Sequence, residues 1–420
     1  MLKRRTSKAR PGSWTIMVYM VADDDDGVFT NEHIKDEVKE IRAAVASHPG
    51  AQIAVHADLR GEAITRHFVK NGQLVDEPLE QMSPASVETI RKFIDFGLDK
   101  HPAEHYLFIF WGHGFGPAGL KYGRLESVRP TELQFVRPAE LRKALRKGFG
   151  MLSPPIEIVT FMSCQMNTIE LAYEFSQWPL LPFTKVSNHI VASQGSVKPA
   201  EPFPYDEVLS AISRDGKNPT RVGTEVVDRL NTKKGMKNGT RFAAPFSLVD
   251  VSSSKEVADA LKALASDIVA TNPFKPDHAK LSPIQEAMHD VMHQAHTHDL
   301  SLLDLGRLGR RFGELAVATK LNPSESSMLA RLRTAGTQLS KAVEEAFVLR
   351  RQTGADQETT GASVFCPTHH NPGAKGAGTA AMTAVPDVEV AVAVDMEAYR
   401  GSWFSKHTKW SDVVDQARDV

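Results

Sequence analysis

Two short apolar runs in this chain each end close to one chemically reactive residue. Residues 105–111 lead into His113, and residues 156–162 lead into Cys164. Runs of this length, rich in β-branched and aromatic residues, are typical of buried strands in a parallel sheet. Ligands and catalytic groups of open α/β sheets collect outside the carboxyl ends of the strands. The sequence therefore predicts that an imidazole and a thiol meet at one edge of a sheet.

A thiol and an imidazole at neighbouring strand ends can carry out acyl transfer. The thiolate is the nucleophile, and a nearby imidazole can favour the thiolate and then pass a proton to the leaving amine. Cys164 also precedes a predicted helix, whose first N–H groups favour negative charge. Because the glycines beside His113 leave the backbone uncovered, the N–H groups of Gly114 and Cys164 are the expected oxyanion donors.

Strands and helices alternate along the first half of the chain. Residues 14–21, 51–57 and 189–192 fit short strands, and residues 32–46 fit an amphipathic helix. Repeated alternation of this kind predicts an α/β fold with a mostly parallel central sheet and helices on both faces.

The second half of the chain is less regular and is dominated by helical patterns at about residues 254–270 and 325–350. We therefore divide the chain into a flexible basic tail (1–12), a catalytic domain (13–250) and a mainly helical C-terminal portion (251–420). The C-terminal portion is expected to pack on the catalytic domain.

Local signals place several boundaries of the predicted elements. Ser83 and Pro84 fit the N-cap and first-turn proline of a helix. Asn167 begins a capping-box-like pattern for the helix after Cys164. Residues 115–136, which contain Gly, Pro and Arg, fit a loop between two strands.

Composition narrows the classes of partner and compartment. A formal net charge of -1 gives no electrostatic reason to expect nucleic acid or an anionic membrane as a partner. No apolar run approaches the roughly 20 residues of a membrane span, and none follows the basic start as in a secretory signal. Only two cysteines occur, Cys164 and Cys366. A disulfide framework is therefore not expected, and a reducing cytoplasm is the predicted location.

Several stretches resemble the clostripain family of cysteine peptidases. Residues 110–114 are similar to the family's (D/W)-G/D-H-G strand end, and residues 160–174 to its block F-D-A-C-L-M-x-x-x-E-x-A-Y-E. Shorter similarities lie at residues 19–23, 191–194, 204–209 and 362–367. The likeness covers most of the chain, and the block around Cys164 is its specific part.

This resemblance implies a caspase-like α/β/α sandwich and endopeptidase activity on proteins or peptides. By motif position it implies a catalytic dyad of His113 and Cys164, with no organic cofactor required. Family members often cleave after Arg or Lys, using an acidic residue two positions before the nucleophile. Met162 stands there in this chain. We therefore expect an altered specificity, unless another acid supplies the charge. The substrate-pocket candidates are Met162, Ser163, Ser193, Gln194, Glu201 and Asp206.

Two further family properties stay open at this point. Members can cleave themselves between the His and Cys strands, where this chain offers Lys121, Arg124, Arg129 and Arg137. Some members respond to Ca²⁺, for which the acidic loop with Asp23 and Asp24 is a weak candidate, since it lacks the spacing of an EF-hand. No confident metal site is predicted.

Two alternative functions use the same fold. A peptide ligase or transpeptidase would pass the acyl group from Cys164 to an amine instead of water. A non-catalytic binding module would keep the scaffold without turnover. An active cytoplasmic protease also needs restraint, for which a regulatory partner protein is one expectation.

Overall fold

The computed structural model describes residues 10–22, 29–80, 82–122, 134–150, 155–176, 185–197, 201–232, 245–274, 281–297, 301–317, 320–351, 359–367 and 394–418. Its strands are β1 (Arg10–Val21), β2 (Ile53–Asp58), β3 (Thr65–Lys70), β4 (Gln73–Pro78), β5 (Ala103–Trp111), β6 (His113–Gly114), β7 (Leu120–Tyr122), β8 (Gln134–Val136), β9 (Ile156–Met162), β10 (Ser187–Ser193), β11 (Phe246–Asp250), β12 (Leu302–Asp304), β13 (Val348–Arg351) and β14 (Ser363–Phe365).

The helices flank a large sheet formed by nine of these strands. They are α1 (Asn31–Ser47), α2 (Val87–Lys100), α3 (Pro138–Phe149), α4 (Ile169–Ser176), α5 (Tyr205–Asp215), α6 (Pro219–Asn231), α7 (Ser254–Thr271), α8 (Pro283–Gln294), α9 (Leu305–Gly313), α10 (Pro323–Lys341), α11 (Met396–Gly401), α12 (Trp403–Thr408) and α13 (Trp410–Arg418).

The strand order of the main sheet is β13-β11-β10-β9-β5-β1-β2-β3-β4. The five neighbouring strands β10, β9, β5, β1 and β2 run parallel to one another. On one side of them β11 and β13, and on the other side β3 and β4, are each added by antiparallel pairing. The predicted mostly parallel sheet is thereby confirmed. Parallel strands end together at one edge, so the ends of β5 and β9 lie side by side.

Both faces of the sheet are covered by apolar side chains. On β1, Ile16 and Val18 belong to a cluster shared with α1, α5 and α6, whereas Met17 and Tyr19 belong to a cluster shared with α2, α3, α4 and α7. This alternation follows from the two-residue period of a strand. The predicted α/β/α sandwich is confirmed.

The N-terminal tail is shorter than predicted. Arg10 already pairs with Ala103 of β5, and the Gly12 N–H donates to Glu104 Oε2 at 2.6 Å. The register shifts between Arg10 and Trp14, as expected for an irregular strand start. Residues 10–12 are therefore part of a strand, because β5 offers them backbone partners. Residues 1–9 lie outside the described part of the chain.

Two predicted helix starts are wrong by a few residues. Helix α2 begins after Ser86, whose Oγ accepts from the Glu88 N–H at 3.2 Å, instead of after Ser83. At α4 the hydroxyl of Thr168 accepts from the Leu171 N–H at 3.4 Å. The side chain of Asn167, the predicted cap, turns to partners elsewhere in the fold.

Two other regions contain strands that the sequence did not predict. Residues 115–136, predicted as a loop, include β7 and β8. Strand β7 pairs with β6 and with β8 in a small antiparallel sheet. The helix predicted over residues 325–350 ends as α10 at Lys341, followed by a π-helix (Ala342–Phe347) and β13. Pairing of β13 with β11 overrides the local helical pattern here.

The portion after residue 250 shares the sheet and core of the portion before it. Strand β13 extends the main sheet, and Ser363 of β14 forms a bridge to Thr168. One hydrophobic cluster joins Phe161 of β9 with Phe365 and Trp410. The described residues of this portion are mainly helical, as expected, but the division into domains at residue 250 stays a prediction.

The C-terminal helices dock on α4 through buried polar contacts. Glu170 Oε1 accepts from the Tyr399 hydroxyl and from the Phe365 N–H, both at 2.9 Å. The Trp403 N–H donates to Glu174 Oε1 at 2.8 Å. Desolvation by burial raises the pKa of Glu170 to about 7, and the hydrogen bonds offset only part of this effect.

This raised pKa predicts a pH-dependent stability. Below the unfolded-state pKa of about 4.5, Glu170 is neutral in both states, and its stabilising effect is fully present. As pH rises through about 7 that stability is lost, because ionisation is costlier in the folded state. We expect Glu170→Gln to gain about 3 kcal/mol relative to the wild type between pH 4.5 and pH 8.

Urea unfolding of both proteins at several pH values measures this difference. Other titrating groups contribute equally to the two proteins and cancel in the comparison. A difference in unfolding free energy that does not change with pH would contradict the raised pKa.

Candidate active site

The two predicted reactive residues lie at adjacent strand ends. Strands β5 and β9 are parallel neighbours, and Trp111 is in register with Met162. Two residues after the end of each strand, the backbone reaches His113 and Cys164 respectively. Beyond them the backbones touch: a Cβ added to Gly114 would lie 2.3 Å from the carbonyl oxygen of Cys164. The structure thus brings together the two residues that the sequence singled out.

A glycine turn and an aromatic side chain set the position of His113. Gly112 has φ +145°, and a Cβ there would meet Val21 O at 3.2 Å and Tyr122 Cε1 at 3.3 Å. A residue with a side chain is therefore disfavoured at 112. The His113 ring packs edge-on against Phe29, with ring centroids 4.8 Å apart. This contact restrains the imidazole on one side.

The thiol of Cys164 is half-buried and contacts the backbone of Val197. The Val197 N–H donates to Sγ at 3.2 Å, and Sγ lies 3.6 Å from the Val197 carbonyl oxygen. The sulfur thus lies between a backbone donor and a backbone acceptor of the same residue. The next residue, Gln165, has φ +57°, so the chain turns sharply after the cysteine. Because Cys164 is only half-buried, the residue is partly exposed to solvent.

Two buried carboxyl groups lie at the same end of the sheet. Glu37 of α1 accepts from the Phe203 N–H at 3.0 Å. The polar side-chain groups of Tyr205 and Trp111 also lie near its carboxyl and favour the ionised form. Burial raises the pKa of Glu37 to about 7. Burial likewise raises the pKa of Asp58, at the end of β2, to about 7. Both groups are poorly solvated and favour the neutral form more than a surface carboxyl does.

Comparison with known proteins decides the family. The sequence model described as Clostripain family matches residues 18–416, which is nearly the whole chain. The protein belongs to the clostripain family. It is accordingly a clostripain-family cysteine peptidase, as its sequence motifs predicted. No match is found among the curated proteins.

Solved structures of clostripain-type proteases share the fold of this chain. An inactive zymogen C11 protease from Parabacteroides distasonis is 16% identical, with 94% of this chain and 97% of the other covered and a TM-score of 0.57. A secreted C11 cysteine protease from Bacteroides thetaiotaomicron, in complex with an irreversible peptide inhibitor, is 14% identical, with 95% and 99% covered and a TM-score of 0.55. The resemblance confirms the caspase-like architecture.

Within this clostripain-family fold, three pocket candidates lie at the strand ends and are buried. Met162 is 1% exposed and belongs to the apolar cluster on the α1 face, beside Trp111. Ser163 follows it and is also buried. Ser193 Oγ accepts from the Gly195 N–H at 3.0 Å and so shapes the turn after β10.

Two other pocket candidates occupy different places from those expected. Asp206 pairs with His48, 3.2 Å away, at the C-terminal cap of α1. Helix α1 begins near the carboxyl end of β1, so this cap lies toward the opposite edge of the sheet. Gln194 is buried and hydrogen-bonds to Asp304 and Gly361 instead of lining an open pocket. Glu201 is half-buried, two residues before Phe203.

Several residues that support the site could not be singled out in the sequence. Phe29 follows an acidic loop, and Val197 follows a Gly-Ser pair, and neither position carries a recognisable motif. Glu37 appears in the sequence as one of several charged residues on an amphipathic helix. The clostripain-family block did include Asn167, but only as a spacer position.

The remaining predicted features are only partly described. Lys121 lies in β7, and Arg137 pairs with Asp395 at 2.8 Å, but Arg124 and Arg129 lie outside the described residues. Asp23 and Asp24 also lie outside them. Within the described part of the chain, no group of three or more His, Cys, Asp or Glu side chains is arranged to hold a metal ion. None of the helices described there is both long and apolar enough to cross a bilayer.

Proposed function

We propose that the protein is a cysteine endopeptidase that works through a Cys164/His113 dyad and an acyl-enzyme. One observation carries this proposal: the strand ends bearing the imidazole and the half-buried thiol are in backbone contact at Gly114 and Cys164. Membership of a cysteine peptidase family supports it independently.

The proposed reaction has two stages. The thiolate of Cys164 adds to the scissile carbonyl, and the N–H groups of Gly114 and Cys164 stabilise the oxyanion. His113, protonated, gives its proton to the departing amine as the C–N bond breaks, which leaves a thioester on Cys164. Water then attacks the thioester while His113 accepts its proton. The C–S bond breaks, and the acid product leaves the thiolate of Cys164 beside the protonated His113.

Proteins or peptides are the proposed substrates. The similar protease from Bacteroides thetaiotaomicron is described in complex with a peptide inhibitor, which supports a peptide-binding cleft on this fold. For the residue before the scissile bond we propose a preference that departs from strict Arg or Lys. The apolar Met162 offers a cationic side chain none of the charge-assisted hydrogen bonds of a carboxylate.

A defined peptide library, analysed by product mass, tests this function. We expect fragments cut at one bond, with several uncharged residues accepted before it. Joined peptides would favour the ligase. A complete absence of products, together with no labelling of Cys164 by a thiol-reactive peptide probe, would favour the binding module. A strict requirement for Arg or Lys would contradict the altered specificity.

We also propose self-cleavage between the His and Cys strands, a response to Ca²⁺, restraint by a regulatory partner and a cytoplasmic location. Intact mass before and after incubation, compared with Cys164→Ala, tests self-cleavage directly. A change in activity on removal and return of Ca²⁺ tests the ion. Two similar structures are described as secreted proteases, so the compartment also needs a direct measurement.

A further inference from the structure

A buried chain of hydrogen bonds connects the C-terminal portion to the turn that carries Cys164. We call it the Gln194 network, and it consists of Asn167, Gln194, Asp304, Thr360 and Gly361. All five residues are buried, and none is more than 2% exposed among the four with polar side chains. They come from three distant parts of the sequence, so only the tertiary fold brings them together.

Asp304, at the end of β12, is the anchor of the network. Its carboxylate accepts from the Thr360 N–H at 2.6 Å, the Thr360 hydroxyl at 2.5 Å and the Arg307 N–H at 2.8 Å. The fourth donor is Gln194 Nε2, at 3.2 Å from Oδ2. Four donors use the full acceptor capacity of an ionised carboxylate. Asp304 is therefore fixed on every side by hydrogen bonds.

Gln194 links Asp304 to Gly361, and Gly361 in turn is bonded to Asn167 near the active site. The Gln194 Oε1 accepts from the Gly361 N–H at 2.8 Å, and the Gly361 carbonyl accepts from Asn167 Nδ2 at 2.5 Å. Gly361 has φ +97°, and a Cβ there would lie 2.6 Å from Ser247 Oγ. Only glycine fits this linking position without strain.

Asn167 belongs to the turn that begins at Cys164. Its N–H donates to Ser193 O at 3.0 Å, and its carbonyl accepts from the Ser363 N–H at 3.0 Å. The Gln165 N–H donates to Gly195 O at 3.0 Å. The turn is thus tied to the end of β10 and to β14 at once. These hydrogen bonds also fix the distance between the Cys164 turn and Val197, whose N–H contacts the sulfur.

We propose that Gln194 is a positioning residue for the nucleophile. This proposal rests on the proposed function of Cys164. The Gln194 network holds the Cys164 turn at the strand end and keeps Sγ in reach of the Val197 N–H and of His113. The amide is the required group, because it donates to Asp304 and accepts from Gly361 at the same time. A carboxylate at 194 would face Asp304 with like charge.

Gln194→Ala tests the position of the nucleophile, and Gln285→Ala is its matched control. Gln285 is also a buried glutamine whose side chain donates to Thr271 O at 2.6 Å and accepts from the Ser282 N–H at 2.8 Å, but it lies on α8. We expect Gln194→Ala to lower kcat about 10- to 100-fold with KM changed less than about threefold. Gln285→Ala should keep kcat within about twofold, after correction of both variants for the folded fraction.

Gln194→Glu tests the positioning role through the pH dependence of kcat, which a merely structural role would leave unchanged. At high pH two carboxylates 3.2 Å apart repel each other, whereas a protonated Glu donates to Asp304 and accepts from Gly361 as the amide does. We expect the ratio of variant to wild-type kcat to rise at least about fivefold from pH 8.5 to pH 5.5. The titratable residues near Asp304 are Arg307, whose backbone N–H donates to it, and His296, which stays neutral because burial lowers its pKa to about 4.

The alkylation rate of Cys164 by iodoacetamide, followed on the full-length protein by peptide mass, separates this proposal from the proposed function. It reports the thiol without any substrate. We expect Gln194→Ala, but not Gln285→Ala, to slow alkylation at least about fivefold at neutral pH. If the wild type hydrolyses no peptide but this difference holds, the peptidase proposal fails and the positioning role stands. Unchanged kcat and alkylation in folded Gln194→Ala, or equal losses in Gln285→Ala, would overturn the positioning role.

Discussion

Replacing Cys164 with alanine is expected to abolish peptide hydrolysis, lowering kcat/KM at least about 10⁴-fold. The sulfur is the only protein nucleophile in the proposed reaction, and no acyl-enzyme forms without it. His113→Ala keeps the thiol but removes the proton transfer, so a loss of about 10²- to 10⁴-fold is expected. Both losses should appear in kcat, measured with a peptide taken from the library screen.

The second cysteine supplies the control for this experiment. Cys366 is fully buried, and burial raises the pKa of its thiol to about 12. Cys366→Ala should therefore retain hydrolysis in the folded fraction, although the core loses a sulfur atom. Activity that survives in Cys164→Ala, or that disappears only in Cys366→Ala, would remove Cys164 from the mechanism.

Adding a single methyl group at Gly114 should also disable the enzyme. The new Cβ would lie 2.3 Å from Cys164 O and 2.9 Å from Ser163 Cβ, closer than real contacts allow. The backbones of the two strand ends must then separate, which displaces both proposed oxyanion donors. Loss of one such donor costs about 10²- to 10³-fold in other enzymes, so we expect Gly114→Ala to lower kcat at least about 100-fold.

A glycine with open space around it is the matched control. Nothing lies within 4 Å of a Cβ added to Gly50, and its φ is not positive. Gly50→Ala should keep kcat within about twofold. Near wild-type kcat in Gly114→Ala would show that the two strand ends are not packed as tightly as the structure indicates.

The central strands and the adjacency of the strand ends that carry His113 and Cys164 could be predicted from the sequence because their signals are local. Strand β9 was predicted at residues 156–162, and the structure places it at Ile156–Met162. A continuous run of β-branched and aromatic residues fits only an environment that is apolar on both faces. Reactive residues that follow such runs are then placed at the sheet edge by geometry alone.

The contacts that support the dyad could not be predicted, since their partners are far apart in the chain. Asn167 looked like a helix cap, yet its amide bonds to Gly361, 194 residues away. Gln194 was a pocket candidate from the family resemblance, but its side chain is buried and hydrogen-bonds to Asp304. Strand β13 continues a helical pattern and becomes a strand only through pairing with β11. Each of these outcomes depends on tertiary neighbours that a local pattern does not contain.

The Gln194 network also bears on when the enzyme matures during its synthesis. Cys164 emerges from the ribosome long before Gly361 and Phe365, which complete the contacts of its turn and of α4. Domains fold as their segments become available during translation. A nascent polypeptide therefore carries the Cys164 thiol without the contacts that complete its turn until residues 361–365 have been made.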